Sequence, residues 1–188
     1  MSDDTKPRIN NVTTRGGDRG ETSLATGRRL PKSHQLFRVI GAVDELNSHI
    51  GVLRNQTDLY ADEMQNLQQS LFDIGAVFAL EGGTEEYSPT LPDIVELEGW
   101  VRAGNANLPP LKEFILPRGN AATTAAHVCR TVCRRAEVEL WTLLDETPEP
   151  PNTYLAVARY LNRLSDLFFV LARLASDDET QWRGPSQA

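Results

Sequence analysis

Ala125-Ala126-His127-Val128-Cys129-Arg130-Thr131-Val132-Cys133-Arg134-Arg135-Ala136-Glu137-Val138-Glu139-Leu140-Trp141-Thr142-Leu143 carries a sustained helical period through the middle of a charged sequence. Ala125, Val128, Val132, Ala136, Leu140 and Leu143 recur at three- and four-residue intervals, the period of an amphipathic α-helix. At about 100° per residue the apolar arc runs through Val128 and Val132, while Arg130, Arg134, Glu137 and Trp141 gather outside it.

The same period recurs on both sides of this helix. Leu36, Val39, Ile40, Val43, Leu46, Ile50 and Leu53 predict a long helix from about His34 to Asn55. Leu67, Leu71, Ile74 and Phe78 predict a second, ended by Gly82-Gly83. Leu91, Ile94, Leu97 and Val101 predict a third, with Pro89 near its start, Pro109-Pro110 after it, and a connection from Glu81 to Thr90 before it. Val157, Leu161, Leu164, Phe168 and Leu171 predict a fifth, set off by Pro148, Pro150 and Pro151. With no β-rich alternating blocks and no internal repeats, the chain reads as all-α, an antiparallel five-helix bundle. Residues 1–188 are expected to form one domain: a Gly-rich N-terminal loop segment over 1–33, the bundle over 34–175, and a loose tail over 176–188.

Composition narrows the function. The 188 residues carry 19 Lys and Arg against 26 Asp and Glu, a formal charge of −7. This argues against non-specific attraction to nucleic acid or an anionic membrane, though not against a local cationic pocket. There is no signal-like apolar run at the N-terminus and no 18-residue uncharged apolar stretch, so a cytoplasmic protein is expected. Cys129 and Cys133, four apart in an apolar pattern, read as small core hydrophobes because no further Cys or His completes a zinc site. His34, His49 and His127 form no His-x-x-His or Glu-x-x-His pattern, so no di-iron ligand set is present, and no protein-held metal is expected.

Two regions carry polar chemistry. Arg130 and Arg134, one turn apart, repel unless an anion or carboxylate lies between their guanidinium forks, which suit either partner. The same spacing also fits a surface helix with Arg134 and Glu137 paired at i,i+3. Asp44 and Glu45 on the first helix are either solvated or positioned to hold an arginine of the fourth. Asn162, Asp166 and Phe169 share a second side of the fifth helix, where Asn162 serves either a nucleotide or a local polar network. Upstream, Thr14-Arg15-Gly16-Gly17-Asp18-Arg19-Gly20-Glu21-Thr22 lacks the Gly-Lys-Ser/Thr of a P-loop and precedes no strand-helix dinucleotide pattern. Its glycines free backbone N–H groups for an anion nest, the hydroxyls of Thr14 and Thr22 can donate, and Arg15, Arg19 and Lys32 supply charge. Asp18 fits better as a loop brace or a holder of hydrated Mg²⁺. Phe114, before Ile115-Leu116-Pro117, reads by default as core.

Taken together, Thr14 to Leu24, Gly27-Arg28-Arg29-Leu30-Pro31-Lys32, Gly41-Ala42-Val43-Asp44-Glu45-Leu46-Asn47-Ser48-His49-Ile50-Gly51, Leu71-Phe72-Asp73-Ile74-Gly75, Phe114-Ile115-Leu116-Pro117, Arg130 to Glu137 and Tyr160 to Phe169 resemble the PduO-type ATP:cob(I)alamin adenosyltransferases, or corrinoid adenosyltransferases, across about residues 12–175. The resemblance implies a ferritin-like bundle assembled as a homotrimer, with ATP, Mg²⁺ and cobalamin bound between subunits. It implies transfer of the 5′-deoxyadenosyl group of ATP to cob(I)alamin with release of triphosphate, and a reductase and an adenosylcobalamin-dependent enzyme as further partners. By the same resemblance, Thr14, Arg15, Gly17, Asp18, Gly20, Thr22 and Lys32 belong to the ATP loop, and Arg134 contacts the triphosphate. Glu137 and Asn162 help place nucleotide and Mg²⁺, Arg130 pairs with Asp44 across the interface, and Phe114 covers the lower corrin face in place of the axial ligand.

The chain departs from the family pattern in four places. Arg15 stands where Lys is common and Gly16 where Thr is. Pro117-Arg118-Gly119 replaces Pro-Gly-Gly, and Val138 follows Glu137 where Arg is usual. None removes Arg130, Arg134, Asp44, Asn162 or Phe114, so an active enzyme is expected over a cofactor-delivering chaperone or a purely structural oligomer.

Overall fold

The computed structural model describes residues 13, 15–83 and 93–184. Two short strands, β1 (Glu21–Ser23) and β2 (Arg29–Pro31), precede five helices: α1 (Gln35–Arg54), α2 (Ala61–Ala79), α3 (Ile94–Asn105), α4 (Ala121–Glu146) and α5 (Asn152–Leu174). The five-helix bundle is as the periodicity predicts. Helix starts are set by side chains that satisfy otherwise orphaned N–H groups. His34 Nδ1 accepts from Leu36 N at 3.2 Å, Asp93 from Val95 N at 2.8 Å and Asn120 from Thr123 N at 2.9 Å. Leu91, expected on the α3 stripe, and Pro89 lie outside the described residues. No helix among the described residues is long and apolar enough to cross a membrane.

Helix α4 is central, packed on both α1 and α5, with α2 on α1 and α3 on α5. Having two neighbours extends its buried side beyond the expected arc, of which Val132, Ala136, Leu140 and Leu143 are buried as predicted. Ala126, Cys129, Cys133, Ala136, Leu140 and Leu143 face the core, whereas Val128 is 40% exposed. Small side chains at the crossing let α4 approach both partners, so backbone proximity outweighs side-chain hydrophobicity in choosing the face. Gly104 plays a similar part where α3 meets α5: a Cβ there would lie 2.6 Å from Val170 Cγ1.

Two expectations are corrected. The N-terminal segment, read as without strands, contains the antiparallel β1–β2 hairpin, with Thr22 opposite Leu30. Leu24 and Leu30 are buried in the main core, Ala25 N donates to Ala79 O at 3.0 Å, and Arg28 pairs with Glu81 at 2.5 Å. Three-residue strands are too short to show a period, so it is the docking of two leucines on the bundle that makes them visible. The tail expected from residue 176 onward is also held, as far as it is described. Leu116 N donates to Thr180 O at 2.8 Å and Trp182 N to Phe114 O at 2.7 Å. Arg173, buried at the end of α5, is gripped by Glu179 at 2.7 Å.

Candidate active site

On α4, Arg130 and Arg134 lie one turn apart with no ion pair among the described residues. Arg130 is half-buried, and its Nε is covered with no hydrogen-bond partner. Desolvation, then the charge of Arg134, lowers its pKa from the ordinary arginine value. Two stacked cations, one with an orphaned donor, form a site that an anion would complete. The i,i+3 pairing of Arg134 with Glu137 does not occur. Glu137 instead accepts from Asn162 Nδ2 at 3.0 Å, Arg163 donates to Asn162 Oδ1 at 2.6 Å, and Arg163 Nε reaches Glu98 at 2.9 Å. Asn162 thus belongs to a polar network linking α3, α4 and α5. Asp166, beside this network, has its carboxyl raised, first by burial and then by Glu137 against the pull of Arg163 and Arg134.

Of the two acids on α1, Glu45 holds a fourth-helix arginine, but that arginine is Arg135. Asp44 is exposed and pairs with no cation among the described residues. Arg134 and Arg135 are equivalent in the sequence, and only the helix–helix contact assigns Arg135 to α1. Cys133 Sγ donates to Leu161 O at 3.2 Å, and burial pushes the Cys129 thiol up to about 12 and Cys133 well above its ordinary value. Both are core thiols.

The glycine-bearing loop is a chain of turns above the hairpin. Asp18 N donates to Arg15 O at 3.3 Å, Gly20 N to Gly17 O at 3.2 Å and Lys32 N to Gly20 O at 2.8 Å. Lys32 lies so close over Gly17 that a Cβ there would stand 2.8 Å from its Nζ. Arg15 and Gly20 have φ of 56° and 81°, a region that an L side chain enters at a cost. Arg29 steadies the loop by donating to Gly16 O at 3.1 Å. Thr14, expected here, lies outside the described residues. Thr22 is half-buried within β1.

Phe114 is 77% exposed, against the default expectation of a core residue. Together with Leu111, Lys112, Glu113 and Phe169 it lines an open cleft of about 320 Å³. The Trp182 ring stands 6.3 Å from its own. A loop phenylalanine held in the open by a paired backbone is suited to a flat apolar ligand. Trp182 and Thr180 carried no periodic pattern; the lone tryptophan in a polar tail was their one distinguishing mark.

The site residues fall into three groups within one chain. Gly17, Gly20 and Lys32 meet at the hairpin; Arg130, Arg134, Glu137 and Asn162 meet on α4–α5; Phe114 stands at its cleft. No hydrogen bond or ion pair among the described residues joins the loop to Arg134, or Asp44 to Arg130. Among the described residues no three His, Cys, Asp or Glu side chains converge to hold a metal.

This fold agrees with comparisons to known proteins. The sequence pattern of the Cobalamin adenosyltransferase family matches residues 12–175, and the chain belongs to that family. It is 43% identical over 175 residues to a Cobalamin adenosyltransferase of Cupriavidus metallidurans, covering 89% of each chain. It is 39% identical over 183 residues to the Corrinoid adenosyltransferase MMAB of Homo sapiens, covering 92% of this chain and 72% of that one. A variant PduO-type ATP:corrinoid adenosyltransferase from Lactobacillus reuteri, complexed with cobalamin and ATP, superposes with a TM-score of 0.83 at 30% identity, covering 92% of this chain and 99% of that one.

Proposed function

We propose that this chain is an ATP:corrinoid adenosyltransferase that moves the 5′-deoxyadenosyl group of ATP to cob(I)alamin, forming adenosylcobalamin and triphosphate. The observation that carries the reading is the Arg130–Arg134 pair, with a buried orphaned donor and no ion pair among the described residues, on a chain that also displays Phe114 at an apolar cleft. Family membership supports it. The C5′–O bond of ATP breaks as the bond to cobalt forms, so no protein nucleophile is needed, and the protein's task is alignment and charge stabilisation.

In this reading the Arg134 fork binds the departing triphosphate and neutralises its growing charge, and Lys32 with the N–H groups of the Gly17–Gly20 turns holds the other phosphates. Arg15, Asp18 and Thr22 shape the loop, with Thr14 beside them. Glu137 and Asn162 place the nucleotide, and Mg²⁺ arrives with the phosphates. Phe114 covers the lower corrin face and keeps out water and the lower ligand, which makes the preceding one-electron reduction easier.

Among the described residues the loop and the α4 cations are not joined within one chain, so the complete site is proposed to lie between subunits of a homotrimer. Arg130 would meet Asp44 of a second copy there, with exposed Val138 and Trp141 in the contact. A cytoplasmic location, a reductase and an adenosylcobalamin-dependent acceptor complete the proposal. The test is anoxic incubation of protein, Mg·ATP and reduced cobalamin. Adenosylcobalamin and triphosphate in equal amounts are expected; binding of both substrates without product would leave a delivery chaperone instead.

A further inference from the structure

His127 is a buried titratable group that the mechanism above does not use. It is 4% exposed, and neither ring nitrogen has a hydrogen-bond partner among the described residues. An unpartnered buried polar group is costly, so an imidazole kept in this state calls for an explanation. What the side chain does engage is its ring: the Phe169 ring stands 6.4 Å away at 57°, a tilted aromatic contact. Phe169 in turn lines the cleft with Phe114 and Leu111. At about 100° per residue, His127 lies on the same stripe of α4 as Arg130 and Arg134, away from the side that faces the core. It therefore sits where the cation pair meets the aromatic cleft. Burial, followed by the Arg130 charge, lowers its pKa, so the ring is neutral and adds no third positive charge to the stripe.

We propose that His127 is a positioning residue for the aromatic wall of the corrin cleft, fixing Phe169 opposite Phe114 through its ring and not through its nitrogens. This rests on the reading of the Phe114 cleft as the corrin site. With Phe169 held, an incoming planar ligand meets a preformed slot; without it, Phe169 has a vacated space to turn into, and the ligand must order the wall on binding. The effect falls on the corrinoid and leaves ATP aside.

The experiment measures ATP-bound cob(II)alamin by magnetic circular dichroism, together with KM for corrinoid and for ATP, in wild type, Phe114→Ala, His127→Ala and His127→Phe. His127→Ala is expected to lower the four-coordinate cobalt fraction and raise the corrinoid KM roughly three- to tenfold, the size of a lost aromatic contact, with ATP KM unchanged. His127→Phe, which keeps a ring and deletes the unpartnered nitrogens, is expected to restore both. If Phe114→Ala loses the four-coordinate species while His127→Ala keeps it at the wild-type corrinoid KM, this proposal fails and the cleft reading survives. If Phe114→Ala also leaves the fraction unchanged, both fail. Failure of His127→Phe to restore binding would overturn action through the ring. Should His127→Ala not fold, His127→Leu takes its place with the same outcomes.

Discussion

Arg134 presents a planar fork on an exposed helix face, and its neighbour one turn away is a second arginine where a carboxylate would have neutralised it. If the fork binds the leaving triphosphate as proposed, Arg134→Ala should lower kcat by roughly 100- to 1,000-fold with the helical circular dichroism unchanged. Arg134→Lys should recover only part of the rate, because an ammonium cannot reproduce two parallel hydrogen bonds. Near-normal turnover in Arg134→Ala would remove the assignment. His127 and Asp166 make stability respond to pH in opposite directions. The folded pKa of His127 lies below the unfolded value of 6.5. As pH falls through 6.5 the unfolded chain takes up a proton that the folded chain refuses, so stability is lost, with a limiting slope of about 1.4 kcal/mol per pH unit. Asp166 is raised above 3.8, so the folded chain holds its proton longer and stability declines as pH rises from 3.8 through the folded value. Urea titrations from pH 4 to 7 on wild type and His127→Phe should show the first slope missing from the variant; identical slopes would mean that His127 is not held neutral by the fold.

At the scale of elements, the hairpin and the loop above it should behave differently. Strands β1 and β2 are fastened by Leu24, Leu30 and the Ala25–Ala79 hydrogen bond, whereas the turns from Arg15 to Gly20 have mainly exposed backbone. Hydrogen exchange should accordingly find residues 21–31 protected with or without Mg·ATP, and residues 15–20 protected only with it. Equal protection of 15–20 in both states would show that ATP orders nothing there. Leu30→Ala should cost about 2–4 kcal/mol and loosen the whole hairpin, since its buried side chain holds the strand to the bundle. Most of the helices were legible because long stripes such as Leu36 to Leu53 repeat the period five or six times. The hairpin was not, because three residues per strand carry no period; on α4 the period finds the buried Val132, Ala136, Leu140 and Leu143 but not Ala126, Cys129 and Cys133, because alanine and cysteine rank low in hydrophobicity yet permit close packing.

Across the whole molecule, the exposed acid Asp44 and the orphaned donor of Arg130 remain unmatched among the described residues of one chain. If they meet between copies, Asp44→Asn and Arg130→Ala should each weaken the trimer and the rate, and the double variant should cost less than the sum. Sedimentation and kinetics on the four proteins of the cycle would measure a coupling of about 0.5–3 kcal/mol; additive effects would separate the two residues.

The sequence alone determined the all-α class, the number of helices, the stacked arginines and the family, because each depends on spacing along one chain. Tertiary structure decided which neighbour each polar residue serves: Arg135, and not Arg130, goes to Glu45; Asn162 goes to Glu137; Trp182 comes back beside Phe114. Those choices depend on how helices rotate about their axes and where a tail returns. These are set by packing between segments far apart in the chain, a relation that no local period encodes.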